Sequence, residues 1–292
     1  MRIESVTSAQ NGKVKTLLAL QEKARLRKEM GLFVVEGQRE LEHCVRAGFE
    51  IDTLFYCPEI VGLAVGSSAA IRYNALTRNA DPTQVKGAEG PQPNLDVLSA
   101  ARQVIEVPRE LYEKIAYRGG TEGMVAEVKV RERTLDGLEL RDNPLVVVLE
   151  GVEKPGNLGA VLRSADAARA DAVLLCDPLT DLYNPNLIRA SIGAVFTVPV
   201  ACCTTGEAIK WLKDNNINIY TAQLQDSSWY YDTDMKGGTA IVIGTEATGL
   251  TAAWREAADA HIRIPMLGEL DSLNASVSAA ILLFEAVRQR NA

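Results

Sequence analysis

Apolar positions change period several times along the chain, and the changes divide it. From Ser8 to about Met30, Val14, Leu17, Leu18, Leu20 and Ala24 recur at helical spacing. Ser8 or Asn11 is placed to cap that helix and Gly31 to end it. Residues 32–37 (LFVVEG) read as a strand, 39–47 as a helix ending at Gly48, and 52–57 (DTLFYC) as a second strand before Pro58. Strand, helix and strand at this spacing predict a small α/β unit. Residues 104–107, 109–116 and 124–130 supply its remaining strand, helix and strand, with a basic turn at Arg118-Gly119-Gly120-Thr121. Residues 62–99 are irregular and read as a loop or insertion without an assigned role. Residues 131–143 are charged, lack apolar periodicity and end at Pro144. They mark the boundary, giving domains at 1–133 and 144–292 joined by 134–143.

After the boundary the pattern becomes repetitive. LVVVLEGV (145–152) is a continuous apolar run suited to a central parallel strand. A polar turn, 153–159, precedes a helix over 160–170, and AVLLCD (172–177) is the next strand. Helices over 184–196 and 206–215 alternate with apolar segments at 217–224, 241–246 and 262–266. This β-α repetition predicts a mostly parallel sheet with helices on both faces. The last stretch, 264–290, joins a strand end, a polar loop and a helix whose Val277, Ile281, Leu282, Phe284 and Arg288 recur at three and four residues. Asn274 or Ser272 would cap it.

Composition narrows the class. The 292 residues are 47% hydrophobic and 24% charged, as in a globular protein with room for two domains. The five cysteines form no CxxC pair and there are two histidines, which disfavours a disulfide framework or a zinc site and fits a reducing compartment. The first residues carry no apolar signal core and no apolar run approaches a membrane span, so the expectation is a cytoplasmic, soluble protein with neither membrane nor metal. The net charge of −7 is uneven: residues 1–133 hold 19 basic and 18 acidic groups, residues 134–292 hold 12 and 20. Lys13, Lys15, Lys23, Arg25, Arg27 and Lys28 face only Glu22 and Glu29 within 11–31. Such a cluster is a solvated helix face or a phosphate-contacting one.

Three turns carry candidate chemistry. Gly156-Asn157-Leu158-Gly159 follows the first strand of the second half, with Arg163 four residues on among apolar neighbours. The turn lacks GxGxxG and GxxxxGK[ST], which disfavours a dinucleotide oxidoreductase and a nucleoside triphosphatase. Arg163 needs a partner or a cleft, and a salt bridge and an anion site serve equally. IVIGTEATGL (241–250) ends a strand in Gly244, Thr245 and Glu246. A carboxylate there either fixes the loop or faces a ligand. The polar loop 267–274 is the third.

Together, NLGAVLRSADAA, IVIGTEATGL and IPMLGELDSLNASVS, in this order and spacing, resemble the three signature motifs of the SpoU/TrmH branch of the SPOUT methyltransferases. Residues 23–48 resemble the L30e-like RNA-binding domain that often precedes them. The resemblance implies an RNA ribose 2′-O-methyltransferase using S-adenosylmethionine, on rRNA in preference to tRNA. It also implies a trefoil-knotted parallel α/β domain and a homodimer. Residue by residue, it puts Asn157, Arg163, Glu246, Ser272 and Asn274 in the catalytic constellation. Thr221, Leu224, Gly244, Ile264, Met266 and Leu273 would hold the cofactor, and Lys23, Arg25, Arg27, Lys28 and Arg39 the RNA. Arg169 and Thr245 depart from the family's frequent Gly and Asn. A catalytically silent RNA- or ribosome-binding relative is the competing reading.

Overall fold

The computed structural model describes residues 3–61, 93–117, 122–245, 247–269 and 272–292. Of the stretch 62–99 expected to be irregular, 62–92 lies outside the described residues, as do the basic turn 118–121 and Glu246, whereas 93–99 is helical. The chain divides into two compact units after Arg131.

The first unit holds β1 (Ile3–Ser5), α1 (Gly12–Glu22), α2 (Ala24–Met30), β2 (Leu32–Glu36), α3 (Gln38–Arg46), β3 (Ile51–Tyr56), α4 (Pro58–Val61), α5 (Pro93–Ala100), β4 (Ala101–Glu106), α6 (Arg109–Ile115) and β5 (Met124–Lys129). Its sheet runs β1-β4-β3-β5-β2, with β5 antiparallel to both neighbours. Asn11 caps α1 by accepting from Lys13 N. The single helix expected over 8–30 is two helices broken at Lys23, whose backbone is extended. The reason is Arg27: its guanidinium donates to Leu20 O at 2.6 Å and Gln21 O, ending α1 where the carbonyls have no helical partner. Val14, Leu17 and Leu20 of α1 pack with Val34, Phe55, Ile105 and Val125 of the sheet to form this unit's core.

The second unit continues with β6 (Leu145–Glu150), α7 (Pro155–Ala167), β7 (Ala172–Cys176), α8 (Pro185–Ser191), α9 (Ala194–Thr197), β8 (Val200–Cys203), α10 (Thr205–Asp214), β9 (Asn218–Ala222), β10 (Ser228–Trp229), β11 (Thr239–Ile243), α11 (Ala252–Ala257), β12 (Ala260–Arg263) and α12 (Ala275–Arg290). Every pairing in its sheet, β10-β12-β9-β11-β6-β7-β8, is parallel. Parallel strands need both faces covered, and β6, β7 and β11 are buried at every position.

The expected linker 134–143 belongs to this unit. Leu135, Leu138 and Leu140 pack against its core, and Arg141 holds the buried Asp171 through two nitrogens at 2.7 and 2.8 Å. Asp171 in turn accepts from Leu145 N, locking the start of β6. The helix expected over 184–196 breaks at Ile192 and Gly193, both at positive φ. At the same end of the sheet Arg290 donates to the carbonyls of Met235, Asn143, Pro144 and Gly237, tying α12 to the starts of β6 and β11.

Candidate active site

In a parallel sheet the strands' C-terminal ends leave backbone groups free for a ligand, and here those ends form two adjoining cavities. The first, about 330 Å3, lies beyond β9, β11 and β12 and is closed by the loop into α12. Leu224, Gly244, Ile264, Met266, Ser272 and Leu273 all line it, with Ile243, Ile262 and Leu282 at its base. The second, about 320 Å3, lies beyond β6 against the start of α7 and is lined by Gly151, Lys154, Asn157, Leu158 and Val161. Gly244, Thr245 and Ala275 line both and form the shared wall.

Local sequence explains how the wall is built. Gly244 must be glycine, because a Cβ there would sit 2.3 Å from the backbone carbon of Gly249. Gly249, at φ +67°, folds the loop back so that Thr245 N and Gly249 N each donate to the other's carbonyl. Thr245 Oγ1 also accepts from Thr248 N and bonds Thr248 Oγ1. The loop is anchored from β6 by Glu150, which is 6% exposed. Its carboxylate accepts from Thr251 N at 2.9 Å, Thr251 Oγ1 at 2.7 Å and Thr205 Oγ1 at 2.9 Å. Glu150 was not singled out from the sequence. Its signal is a lone charge ending a wholly apolar strand, which burial permits only with several hydrogen-bond donors.

The third turn meets the first. Asn274 caps α12, accepting from Ser276 N at 2.9 Å, and its amide donates to Asn157 Oδ1 at 3.1 Å. Residues 117 positions apart are thereby held at one rim. Arg163 follows on α7; it is exposed, and its guanidinium has no ion pair or hydrogen bond to any described residue. Of the two readings left open for it, a salt bridge is not formed among the described residues.

Thr221 lies apart from the cavities. It is fully buried in β9, with Oγ1 2.6 Å from His261 Nδ1, and supports the floor rather than lining it. Two buried polar atoms of the first cavity's lining, Gln223 Oε1 and Arg263 Nε, have no partner among the described residues. The Arg263 guanidinium lies over the Trp229 ring, 4.3 Å from its centroid. Neither was expected from sequence, because they depend on the side-by-side placement of β9, β12 and β10.

In the first unit Lys23, Lys28 and Arg39 are exposed, and Arg25 is exposed while paired with Glu29 at 2.6 Å. Arg27 is not on that surface: it is 4% exposed and bonded inward. Sequence spacing could not separate it from its neighbours, because its burial depends on the inward bonds to Leu20 O and Gln21 O.

A parallel α/β sheet with a mostly apolar cavity, two buried polar atoms without a described partner and an adjoining polar rim at its strand C-termini suits an organic ligand with an apolar body. Comparison with known proteins specifies the class. Residues 144–284 match the model of the SpoU rRNA Methylase family, and residues 11–126 that of the MRM3-like substrate binding domain. The chain is 35% identical over 215 residues to the 23S rRNA (guanosine-2′-O-)-methyltransferase RlmB of Salmonella typhi, covering 70% of this chain and 88% of that one. It is 29% identical to the 23S rRNA (uridine(2479)-2′-O)-methyltransferase of Streptomyces viridochromogenes, over 97% of this chain and 92% of that one. Among solved structures, an AdoMet-bound rRNA methyltransferase from Sinorhizobium meliloti superposes with a TM-score of 0.81 at 27% identity, covering 98% of each chain. The protein belongs to the SpoU rRNA methylase family.

Proposed function

We propose that this protein is an S-adenosylmethionine-dependent RNA methyltransferase that modifies a ribose 2′-hydroxyl, in ribosomal rather than transfer RNA. One observation carries the reading: the two cavities share the Gly244-Thr245-Ala275 wall, and Asn157 and Asn274 are bonded to each other at the rim. Cavities that adjoin at Gly244, Thr245 and Ala275 can bring a donor in one against an acceptor in the other, the proximity that group transfer requires. The relatives named as 23S rRNA methyltransferases support the RNA class.

The first cavity fits the cofactor. Its apolar lining suits an adenine ring, Gly244 allows close backbone approach, and Gln223 Oε1 and Arg263 Nε are buried polar atoms that lack a described partner. Leu224, Gly244, Ile264, Met266 and Leu273 would hold it, with Thr221 acting from beneath. When bound, S-adenosylmethionine supplies a methyl group on a positively charged sulfur.

The chain's own residues then have to orient and polarise the ribose hydroxyl. A guanidinium with a pKa above about 12 is a poor base. Arg163 therefore grips phosphate and steadies charge developing on the hydroxyl oxygen. Asn157 and Asn274 hold one another's amide orientation at the rim where the ribose would enter. Ser272 shapes the lip of the first cavity, and Glu246 orients Arg163. Exposed Lys23, Arg25, Lys28 and Arg39 carry phosphate contacts on the first unit.

The same reading includes a trefoil knot through the second unit, cytoplasmic location and a homodimer. Val277 and Phe284, 45% and 47% exposed on α12, support the dimer. Arg163→Ala is the deciding variant. It should lose labelled-methyl transfer to rRNA by at least about a hundredfold, the loss of one transition-state charge contact, while binding S-adenosylmethionine as before by calorimetry. Activity near the unmodified protein's would reject Arg163's role.

A further inference from the structure

One pair of nucleophilic side chains stands outside both cavities. Cys176 ends β7, Cys203 ends β8, and the two are directly paired across the parallel ladder. Their Sγ atoms are 3.9 Å apart. Paired positions on neighbouring strands place their Cα atoms about 5 Å apart with side chains on one face, within the span of a disulfide. Both are free thiols. Cys176 is fully buried and Cys203 half-buried, so a reagent from solvent meets Cys203 first.

The Cys176–Cys203 sulfur contact holds the Cys203 thiol below its usual range, while the same contact and burial push Cys176 up. At the start of α10 the backbone N–H groups of Thr205 and Glu207 are taken by Asp177 and Thr204, so access to solvent is what makes Cys203 the first to react. Cys202, its chain neighbour, points to the opposite face by strand alternation and cannot reach Cys176. Sequence spacing hid the pair, since its members are 27 residues apart.

We propose that Cys203 and Cys176 form a reversible dithiol–disulfide couple, oxidised by peroxide. The Cys203 thiolate attacks one peroxide oxygen, the O–O bond breaks, and hydroxide leaves, giving a sulfenic acid at Cys203. The Cys176 sulfur then attacks the Cys203 sulfur. The S–O bond breaks, the S–S bond forms, and the hydroxyl departs with the Cys176 proton as water. Two thiols are oxidised and one peroxide is reduced to two waters; a small-molecule dithiol reverses the change. Glu150 is the next residue in the same row, paired to Cys176 across the ladder, so the couple lies beside the carboxylate that anchors the 245–251 loop.

The full-length protein treated with stoichiometric hydrogen peroxide, alkylated and mapped by non-reducing peptide mass spectrometry tests this. A Cys176–Cys203 peptide lacking two hydrogens should appear within one chain, free thiols should fall from five to three, and dithiothreitol should restore them. Cys202→Ser should keep the bond. In Cys176→Ser, dimedone should trap a sulfenic acid on Cys203. A bond only between chains, a bond through Cys202, or wild-type Cys203 going to sulfinic acid without a crosslink would each overturn the proposal. The readout is covalent and does not depend on methyl transfer.

Discussion

Single residues in this protein are settled by what they must reach when buried. Glu150 is buried and ionisable, and three donors from two loops converge on it. Glu127 on β5 is the opposite case: it is 6% exposed, and its Oε1 has no partner among the described residues. Burial pushes its carboxyl up to about 7, with the Asp52 carboxylate adding to the shift and Thr53 and Lys13 opposing it. The folded state therefore binds a proton that the unfolded state releases between about pH 4.5 and 7. Stability from this group is present below the lower value and is lost as pH rises through the upper one. Glu127→Gln keeps the shape without the charge. It should raise the opening free energy of β5 amides in hydrogen exchange at pH 8 by up to about 3 kcal/mol. The gain should shrink towards pH 5. An equal gain at both values would mean that Glu127 does not titrate in the fold.

Helices and strands were legible where one local signal decided them and misread where a distant contact did. The starts of α1, α10 and α12 follow from Asn11, the Thr204–Glu207 capping box and Asn274, each a short-range bond written in sequence. The break at Lys23 was not readable, because it depends on Arg27 turning back onto the end of α1. The break after α8 depends on packing too. A Cβ on Gly159 would sit 2.5 Å from that of Ala190, so α7 presses onto the end of α8. Ile192, a β-branched residue, takes φ 51° there. The α1–α2 break sorts Lys23, Arg25, Arg27 and Lys28 into one buried and three exposed cations. Neutralising Lys23, Arg25 and Lys28 to Gln should weaken rRNA binding. It should also reduce the slope of log affinity against log salt by about 2, at roughly 0.7 per phosphate contact. Arg27→Gln should instead lower the first unit's thermal stability through the freed carbonyls of Leu20 and Gln21, leaving the slope unchanged. A slope lost with Arg27 and kept without the other three would invert the assignment.

For the whole molecule, periodicity alone gave two α/β units and a parallel second sheet, but not the order in which its strands lie. Neither the placement of β9 between β12 and β11 nor the meeting of Asn157 with Asn274 follows from spacing. Those depend on long-range packing, and only the resemblance of three motifs anticipated that their loops share a site. The division of labour can still be tested, because each unit closes its own core. Val14, Leu17, Phe55 and Ile105 lie in one, and Val146, Leu174, Ile219 and Trp254 in the other. Residues 132–143 belong with the second core through Leu135, Leu138, Leu140 and the Arg141–Asp171 pair. A chain cut at Arg131 keeps that pair intact, whereas a cut at 144 removes Arg141 and leaves the Asp171 carboxylate, held below its usual range by Arg141 and backbone donors, buried without its cation. Residues 132–292 should therefore fold cooperatively and bind S-adenosylmethionine within about threefold of the full chain, since both cavities lie wholly inside them. Their affinity for rRNA should fall at least tenfold with the loss of the first unit's cations. Residues 144–292 should be less stable by about 1–3 kcal/mol, the cost of leaving the buried Asp171 carboxylate without its half-exposed partner. Calorimetry with the cofactor, filter binding with rRNA and thermal unfolding of the two fragments measure these quantities. Full rRNA affinity in residues 132–292 would move the RNA-binding surface from the first unit to the second.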